Sequence, residues 1–241
     1  MIHRIGSVPY LNARPLVHGL DPAPLLLPPA PLADALHGGE LDVALVPIAE
    51  CLLHNEYDLV DGIAIAARNS VYSVILTSDK PREIWKSISL DPASRSSVLL
   101  TRVIVEFFWK QDIRYDTTGA PTDARLIIGD PARDFRREYS HASVIDLAEE
   151  WTRYTCLPFV FAVWAVRRSC STRGLANYLR EIAARGLTSR RELAQNDEEF
   201  AYLTEHISYE IGMEEKKGIQ QFAHLLVELK IISQEPILTW I

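Results

Sequence analysis

Arg4-Ile-Gly-Ser-Val-Pro-Tyr-Leu-Asn-Ala-Arg-Pro-Leu-Val-His-Gly19 reads as a very short strand, a polar turn and the start of a helix. Ile5 and Val8 bracket small residues, as an opening strand does. Pro15 fits the first turn of a helix, where its missing N–H has no partner to lose. Gly19 tolerates the positive φ that ends one. Ser7, Tyr10 and Asn12 bring three hydrogen-bonding side chains to the end of that strand. In open α/β sheets, ligands bind outside the carboxyl ends of strands, where helix N-termini present free N–H groups. The stretch from Ser7 to Arg14 is therefore either one wall of a ligand cleft or a capped turn with no ligand.

Working outward, Pro22, Pro24, Pro28, Pro29 and Pro31 exclude helix, leaving Leu25 to Leu27 as a short edge strand. Pro31 to His37 reads as a short helix ended by Gly38-Gly39. Leu41 to Val46 is a buried strand stopped by Pro47, and Ile48 to Asn55 a second short helix. Strand and helix alternate, which argues a parallel sheet. Leu59 to Ala67 and Ser70 to Thr77 are β-like, the latter rich in β-branched and aromatic residues. Then come a short helix near Glu83 to Lys86, a short strand Ile88 to Leu90, and a helix from Val98 to Lys110. Asp116 to Ala124 reads as loop, Arg125 to Pro131 as a buried strand entering a tight turn, and Asp134 to His141 as charged surface. Ser143 to Tyr154 fits a helix, and Leu157 to Val166 is the most apolar strand. The remainder is helical: Leu175 to Gln195, Glu198 to Tyr209 and Met213 to Leu229.

Two strands, Val71 to Thr77 and Phe159 to Val166, serve as crossings for a chain that leaves one lobe, builds another and returns. The expected fold is α/β and two-lobed, with 1–74 plus 162–241 as the larger lobe and 75–161 as the smaller. The cleft between such lobes is a favoured ligand site.

The 241 residues are 48% hydrophobic and 24% charged, enough to bury a sizeable core. The formal net charge is −7 and no Lys/Arg stripe occurs, which argues against nucleic acid as a partner. Cys51, Cys156 and Cys170 cannot form a complete disulfide framework, which fits a reducing cytoplasm. No secretory signal pattern opens the chain, and no run approaches the roughly 20 apolar residues of a membrane span. A cytoplasmic protein without membrane association is expected; oligomeric state is not legible.

Asp91-Pro-Ala-Ser-Arg-Ser-Ser97 precedes the helix expected from Val98. One serine suffices to cap a first turn. Ser94, Ser96 and Ser97 with Arg95 exceed that need and favour a carboxylate or phosphate held at the helix N-terminus. In Ile128-Gly-Asp-Pro131, Gly129 allows close backbone approach, and Asp130 either contacts a ligand hydroxyl or caps the turn. Tyr72 and Ser73, on a strand, point to opposite faces, so one of them faces the cleft. The seven histidines form no His-x-x-x-His or His-x-His pair, and no zinc pattern or phosphate-binding glycine loop occurs. Glu149-Glu150 and Glu214-Glu215 read as solvated helix faces. Trp151, Trp164 and Phe107-Phe108 read as core.

Gly6-Ser-Val-Pro-Tyr-Leu-Asn-Ala-Arg-Pro-Leu16, Gly39-Glu-Leu-Asp-Val-Ala-Leu-Val-Pro47, Asp91 to Ser97, Ile128-Gly-Asp-Pro-Ala132 and Leu157-Pro-Phe-Val-Phe-Ala-Val-Trp164 together resemble the chorismate dehydratases of the futalosine route to menaquinone. The resemblance spans essentially the whole chain. A sister family, the 1,4-dihydroxy-6-naphthoate synthases, opens instead on a Ser-Pro-Cys-Pro-Asn-Asp type turn. The resemblance implies a type II periplasmic-binding-protein-like fold and a carbon–oxygen lyase that removes water from chorismate to give 3-[(1-carboxyvinyl)oxy]benzoate. Neither metal nor cofactor is implied.

Aromatisation of the ring supplies much of the driving force for that reaction, so the protein has chiefly to orient the substrate and stabilise charge on its ring carboxylate. The roles that follow from the resemblance are these. Ser94, Ser96 and Ser97, with Arg95 beside them, hold a carboxylate. Asn12, backed by Ser7 and Tyr10, holds the other side of the substrate or the departing hydroxyl. Ser73 lines the crossing strand, and Asp130 contacts the ligand. No histidine or glutamate base falls in these motifs, which makes the substrate's own enolpyruvyl carboxylate one candidate acceptor. The competing class is a non-catalytic protein of the same fold that binds a small carboxylate.

Overall fold

A computed structural model describes residues 3–139 and 143–241. The opening strand, β1 (Ile5–Ser7), is wholly buried and lies parallel to both neighbours, β2 (Leu25–Leu26) and β3 (Val43–Pro47). After β1 a single 3-10 turn (Leu11–Ala13) leads into α1 (Arg14–Val17), with Pro15 in its first turn. Helix α2 (Pro29–His37) links β2 to β3, and α3 (Ile48–Leu53) follows β3. β4 (Tyr57–Ala67) then forms the far side of this sheet.

Residues 68–73 leave the sheet. The strand expected from Ser70 begins only at Val74, because 70–73 is an irregular linker in which Tyr72 has φ 67°. Asp146 holds it there, accepting from Ser70 Oγ (2.9 Å), Val71 N (3.2 Å) and Tyr72 N (2.8 Å). Alternation along a strand therefore does not govern Tyr72 and Ser73.

The second sheet has the order β7-β6-β8-β5-β9. Its strands are β5 (Val74–Ser78), β6 (Ser87–Ser89), β7 (Arg114–Asp116), β8 (Ala124–Ile128) and β9 (Ser143–Asp146). Helix α4 (Arg95–Val103) continues into a π-helical turn at Ile104–Trp109. Helix α5 (Asp130–Glu138) occupies part of the stretch expected as charged surface, whose residues 140 and 141 lie outside the described residues. The helix expected from Ser143 starts instead at Leu147. Ser143–Asp146 is a strand, and Asp146 caps α6 (Leu147–Thr155) by accepting from Ala148 N and Glu149 N.

The chain returns as β10 (Phe159–Arg167), which pairs antiparallel with β3 and β4 along its length. β10 belongs to the first sheet from Phe159 on, so the lobe boundary drawn at 162 falls inside a strand. The six-stranded order is β11-β4-β10-β3-β1-β2, completed by β11 (Thr239–Trp240).

Helices α7 (Arg173–Thr188) and α10 (Met213–Glu228) pack on the first sheet, α7 against β4 and α10 against β10, and the short helices α8 (Arg190–Leu193) and α9 (Asp197–Ala201) lie between them in the chain. A side chain at Gly186 of α7 would collide with the Pro15 carbonyl of α1, so glycine there sets the approach of the two helices. Trp151, Phe159 and Phe222 pack edge to face, with ring centroids 5.0–6.0 Å apart, tying α6, β10 and α10 into one core. The fold is α/β and two-lobed, each lobe built on one sheet, with a cleft between them. No helix among the described residues is long and apolar enough to cross a membrane.

Candidate active site

The cleft between the lobes holds about 560 Å³ of space not filled by protein atoms, open solvent at its mouth included. Its floor is apolar: Leu45, Ile65, Phe161 and Val8. Tyr10 and Asn12 from the opening turn form one wall, Ser73 and Val71 from the linker another, and Ser94, Ser96 and Ser97 from the start of α4 a third. An apolar floor with hydrogen-bonding groups at its edges suits a flat ring carrying polar substituents.

The three serines are linked. Ser94 caps α4, its Oγ accepting from Ser97 N (3.3 Å) and donating to Ser97 Oγ (2.8 Å). Ser96 Oγ accepts from Ala49 N (3.1 Å), which joins α4 to α3 across the cleft. The first-turn N–H groups of α4 have no intrahelical acceptor and carry the positive end of the helix dipole. Arg95 turns away from the cavity. Its guanidinium pairs with buried Glu50 and, at 2.5 Å, with Asp34. Arg95 therefore ties α4 to α2 and α3 and does not line the cavity.

On the other wall, the Ser73 hydroxyl accepts from Tyr202 Oη (2.8 Å). Tyr202 is fully buried in a π-helical turn (Tyr202–His206) that follows α9. Burial pushes its hydroxyl well above the ordinary tyrosine value, against opposing contributions from Ser73, Arg133 and Asn12. The Arg133 guanidinium lies 4.7 Å over the Tyr202 ring. Asn12 Oδ1 is buried with no hydrogen-bond partner among the described residues. An unpaired buried carbonyl is costly, and this one is free to accept from a group that enters the cleft.

Ser7 is fully buried, its Oγ donating to the Val8 carbonyl at 3.4 Å, and it supports the turn from behind without lining the cavity. Asp130 lies at the start of α5 and also stays off the cavity wall. It accepts from Leu11 N (3.4 Å) and Arg133 Nη1 (3.3 Å), bridging the opening turn to the second lobe. Beside it Gly129, φ 66° and ψ −147°, adopts a backbone conformation reserved for glycine. A Cβ there would meet the Tyr10 ring at 3.1 Å.

The structure thus brings Tyr10, Asn12, Ser73, Ser94, Ser96 and Ser97 together around one cavity, with Ser7, Arg95 and Asp130 behind them. Tyr202 and Arg133 escaped the sequence reading. Tyr202 sits in a helical run that reads as a core face, and Arg133 in a charged run that reads as solvent. Among the described lining residues, Tyr10 is the one that titrates, and burial raises its pKa, so it stays protonated. None is Lys or Arg.

A two-lobed α/β molecule with an interlobe cavity of this kind is a type II periplasmic-binding-protein-like fold. Its likeness to protein AF1704 from Archaeoglobus fulgidus has a TM-score of 0.77, at 14% identity over 95% of this chain and 98% of that one. The alkanesulfonate-binding protein SsuA from Xanthomonas axonopodis pv. citri gives 0.66 at 16% identity, over 96% and 94% of the two chains. The chain belongs to the menaquinone biosynthesis family, which it matches over residues 3–228. It is also 27% identical to the chorismate dehydratase of Thermus thermophilus, over 92% of this chain and 94% of that protein.

Proposed function

We propose that this protein is a chorismate dehydratase acting in the cytoplasm, on the futalosine route to menaquinone. The observation that carries the reading is the unpartnered, buried Asn12 Oδ1 at the edge of an apolar cleft. Family membership and the similarity to a chorismate dehydratase support it.

Chorismate carries a ring carboxylate conjugated to a diene, so its C3 proton is vinylogously acidic. Loss of that proton places negative charge on the ring carboxylate. The C4–O bond then breaks, hydroxide leaves and takes up a proton as water, and the ring becomes aromatic. The apolar floor takes the ring face. The Ser94–Ser97 turn, with its first-turn N–H groups, takes a carboxylate. Asn12 orients the C4 hydroxyl before it leaves, accepting from it at its free carbonyl, and Ser73, positioned by Tyr202, orients the ring. With Tyr10 the one titrating group described on the cavity wall, the substrate's enolpyruvyl carboxylate accepts the C3 proton. Arg95 and Asp130 hold the walls in place.

Purified protein incubated with chorismate tests the assignment. Formation of 3-[(1-carboxyvinyl)oxy]benzoate, read by mass spectrometry and by the aromatic absorbance, is the expected result. Chorismate that raises the thermal midpoint but returns unchanged would overturn the enzymatic reading in favour of a carboxylate-binding protein.

A further inference from the structure

Away from the cleft cavity, the ends of two neighbouring helices bring His37, Glu50 and His54 together, their donor atoms all within 4.8 Å of one another. Glu50 and His54 lie four residues apart on α3 and its C-cap, hence on one face, and His37 ends α2. The two imidazole centroids are 4.3 Å apart, and His54 Nε2 is 3.9 Å from Glu50 Oε1. A tetrahedral cation with bonds of about 2.1 Å holds its donors roughly 3.4 Å apart, so a small turn of two half-exposed histidine side chains completes the set.

We infer that His37, His54 and Glu50 form a binding site for a borderline divalent transition metal ion of the Zn2+ type. Two imidazoles and one carboxylate are the donor set such ions select, and the hard ions Mg2+ and Ca2+ are disfavoured by the nitrogens. Glu56 Oε1 lies 2.5 Å from His37 Nδ1 and fixes that ring, as outer-shell carboxylates do for metal-bound histidines. Glu50 Oε2 is occupied by Arg95, which leaves Oε1, where Tyr57 Oη donates at 3.1 Å, to face the histidines. The fourth position is open to water. Because Arg95 opens α4 beside the serine turn, a cation here shares a carboxylate with the contact that joins α4 to α3. This site is independent of what the cleft binds.

The test is titration of the untagged, full-length chain with Zn2+ alone by calorimetry, and with Co2+ alone by visible absorption. Saturable uptake of a single ion per chain, with the intense bands of tetrahedral Co2+, is expected. The His37→Ala/His54→Ala variant should bind at least about a hundredfold more weakly, since losing ligands costs no less than losing their outer-shell support. Its metal-free thermal midpoint should match that of the parent, both side chains being half exposed; His54→Gln alone gives the same readout should the double variant misfold. The proposal fails if the parent shows no saturable uptake. It fails equally if the variant binds as tightly, since the ion then sits elsewhere, at Cys170 and Asp42 for example.

Discussion

The Tyr202 hydroxyl donates to the Ser73 hydroxyl across 2.8 Å, although 129 residues separate them in sequence. The contact fixes the linker that joins the two lobes to a helical turn behind the cleft wall, and it aims the Ser73 proton. Tyr202→Phe keeps the ring and removes the donor. The expected outcome is a fall in kcat of about tenfold, the value of one neutral hydrogen bond, with a near-normal thermal midpoint. Steady-state kinetics on chorismate, with calorimetry alongside, check it. A structural role alone would lower the midpoint and leave kcat intact.

Asn12 presents the opposite balance of stability and activity. Its Oδ1 is buried and unpaired, so its removal relieves a desolvation cost. Asn12→Ala should lose about 10²–10³-fold in turnover, as removal of a preorganised polar group at a reacting centre does. Its stability should stay within about 1 kcal/mol of the parent, or rise. Near-normal turnover in that variant removes Asn12 from the reaction.

Gly129 lies where the second lobe meets Tyr10. Gly129→Ala places a side chain in a glycine-only region of backbone space and against the Tyr10 ring. A loss of about 1–3 kcal/mol in stability is expected, together with a raised KM. Denaturant unfolding and kinetics read the two effects separately.

Arg95 of α4 and Glu50 of α3 form an ion pair in which the carboxylate is fully buried. Arg95→Met strands that charge, at a cost of about 3–5 kcal/mol. Adding Glu50→Gln should restore much of the loss, because both charges are then gone. Urea unfolding of the two single variants and the double gives the cycle.

At the surface, Arg4 donates two hydrogen bonds from its guanidinium to Asp42 and lowers that carboxyl to about 2 from its ordinary 3.8. A lowered folded-state pKa gives stability that is present above the unfolded value and is lost as pH falls through the folded one. The window is therefore from about pH 4 down to pH 2. Thermal midpoints across that window should fall less steeply in Arg4→Ala than in the parent.

The opening turn, the serine turn before α4 and the strand–helix alternation were legible because each depends on local residues: small residues in β1, a serine cap, Pro15 in a first turn. The linker was not. Val71 and Tyr72 have strand composition, yet Asp146, more than 70 residues away, captures their N–H groups and imposes the positive φ of Tyr72. Helix α5 was hidden by its charges: Arg133 is 5% exposed, and Asp130, Glu198 and Glu199 surround its guanidinium, a pairing no local pattern encodes. Glu150, read as solvated, accepts from Trp109 Nε1 at 2.6 Å. Tyr202 reaches the site only through tertiary contact. What local sequence specified was the side of the cleft that the opening turn builds; what it hid was the support that distant elements supply.

Chorismate carrying deuterium at C3 follows the departing proton and the departing hydroxyl separately. The purified protein should convert it to 3-[(1-carboxyvinyl)oxy]benzoate that has lost both the C4 hydroxyl and the deuterium. An aromatic product that retains the deuterium, or chorismate recovered intact from saturating protein, would contradict the dehydration assigned to this cleft.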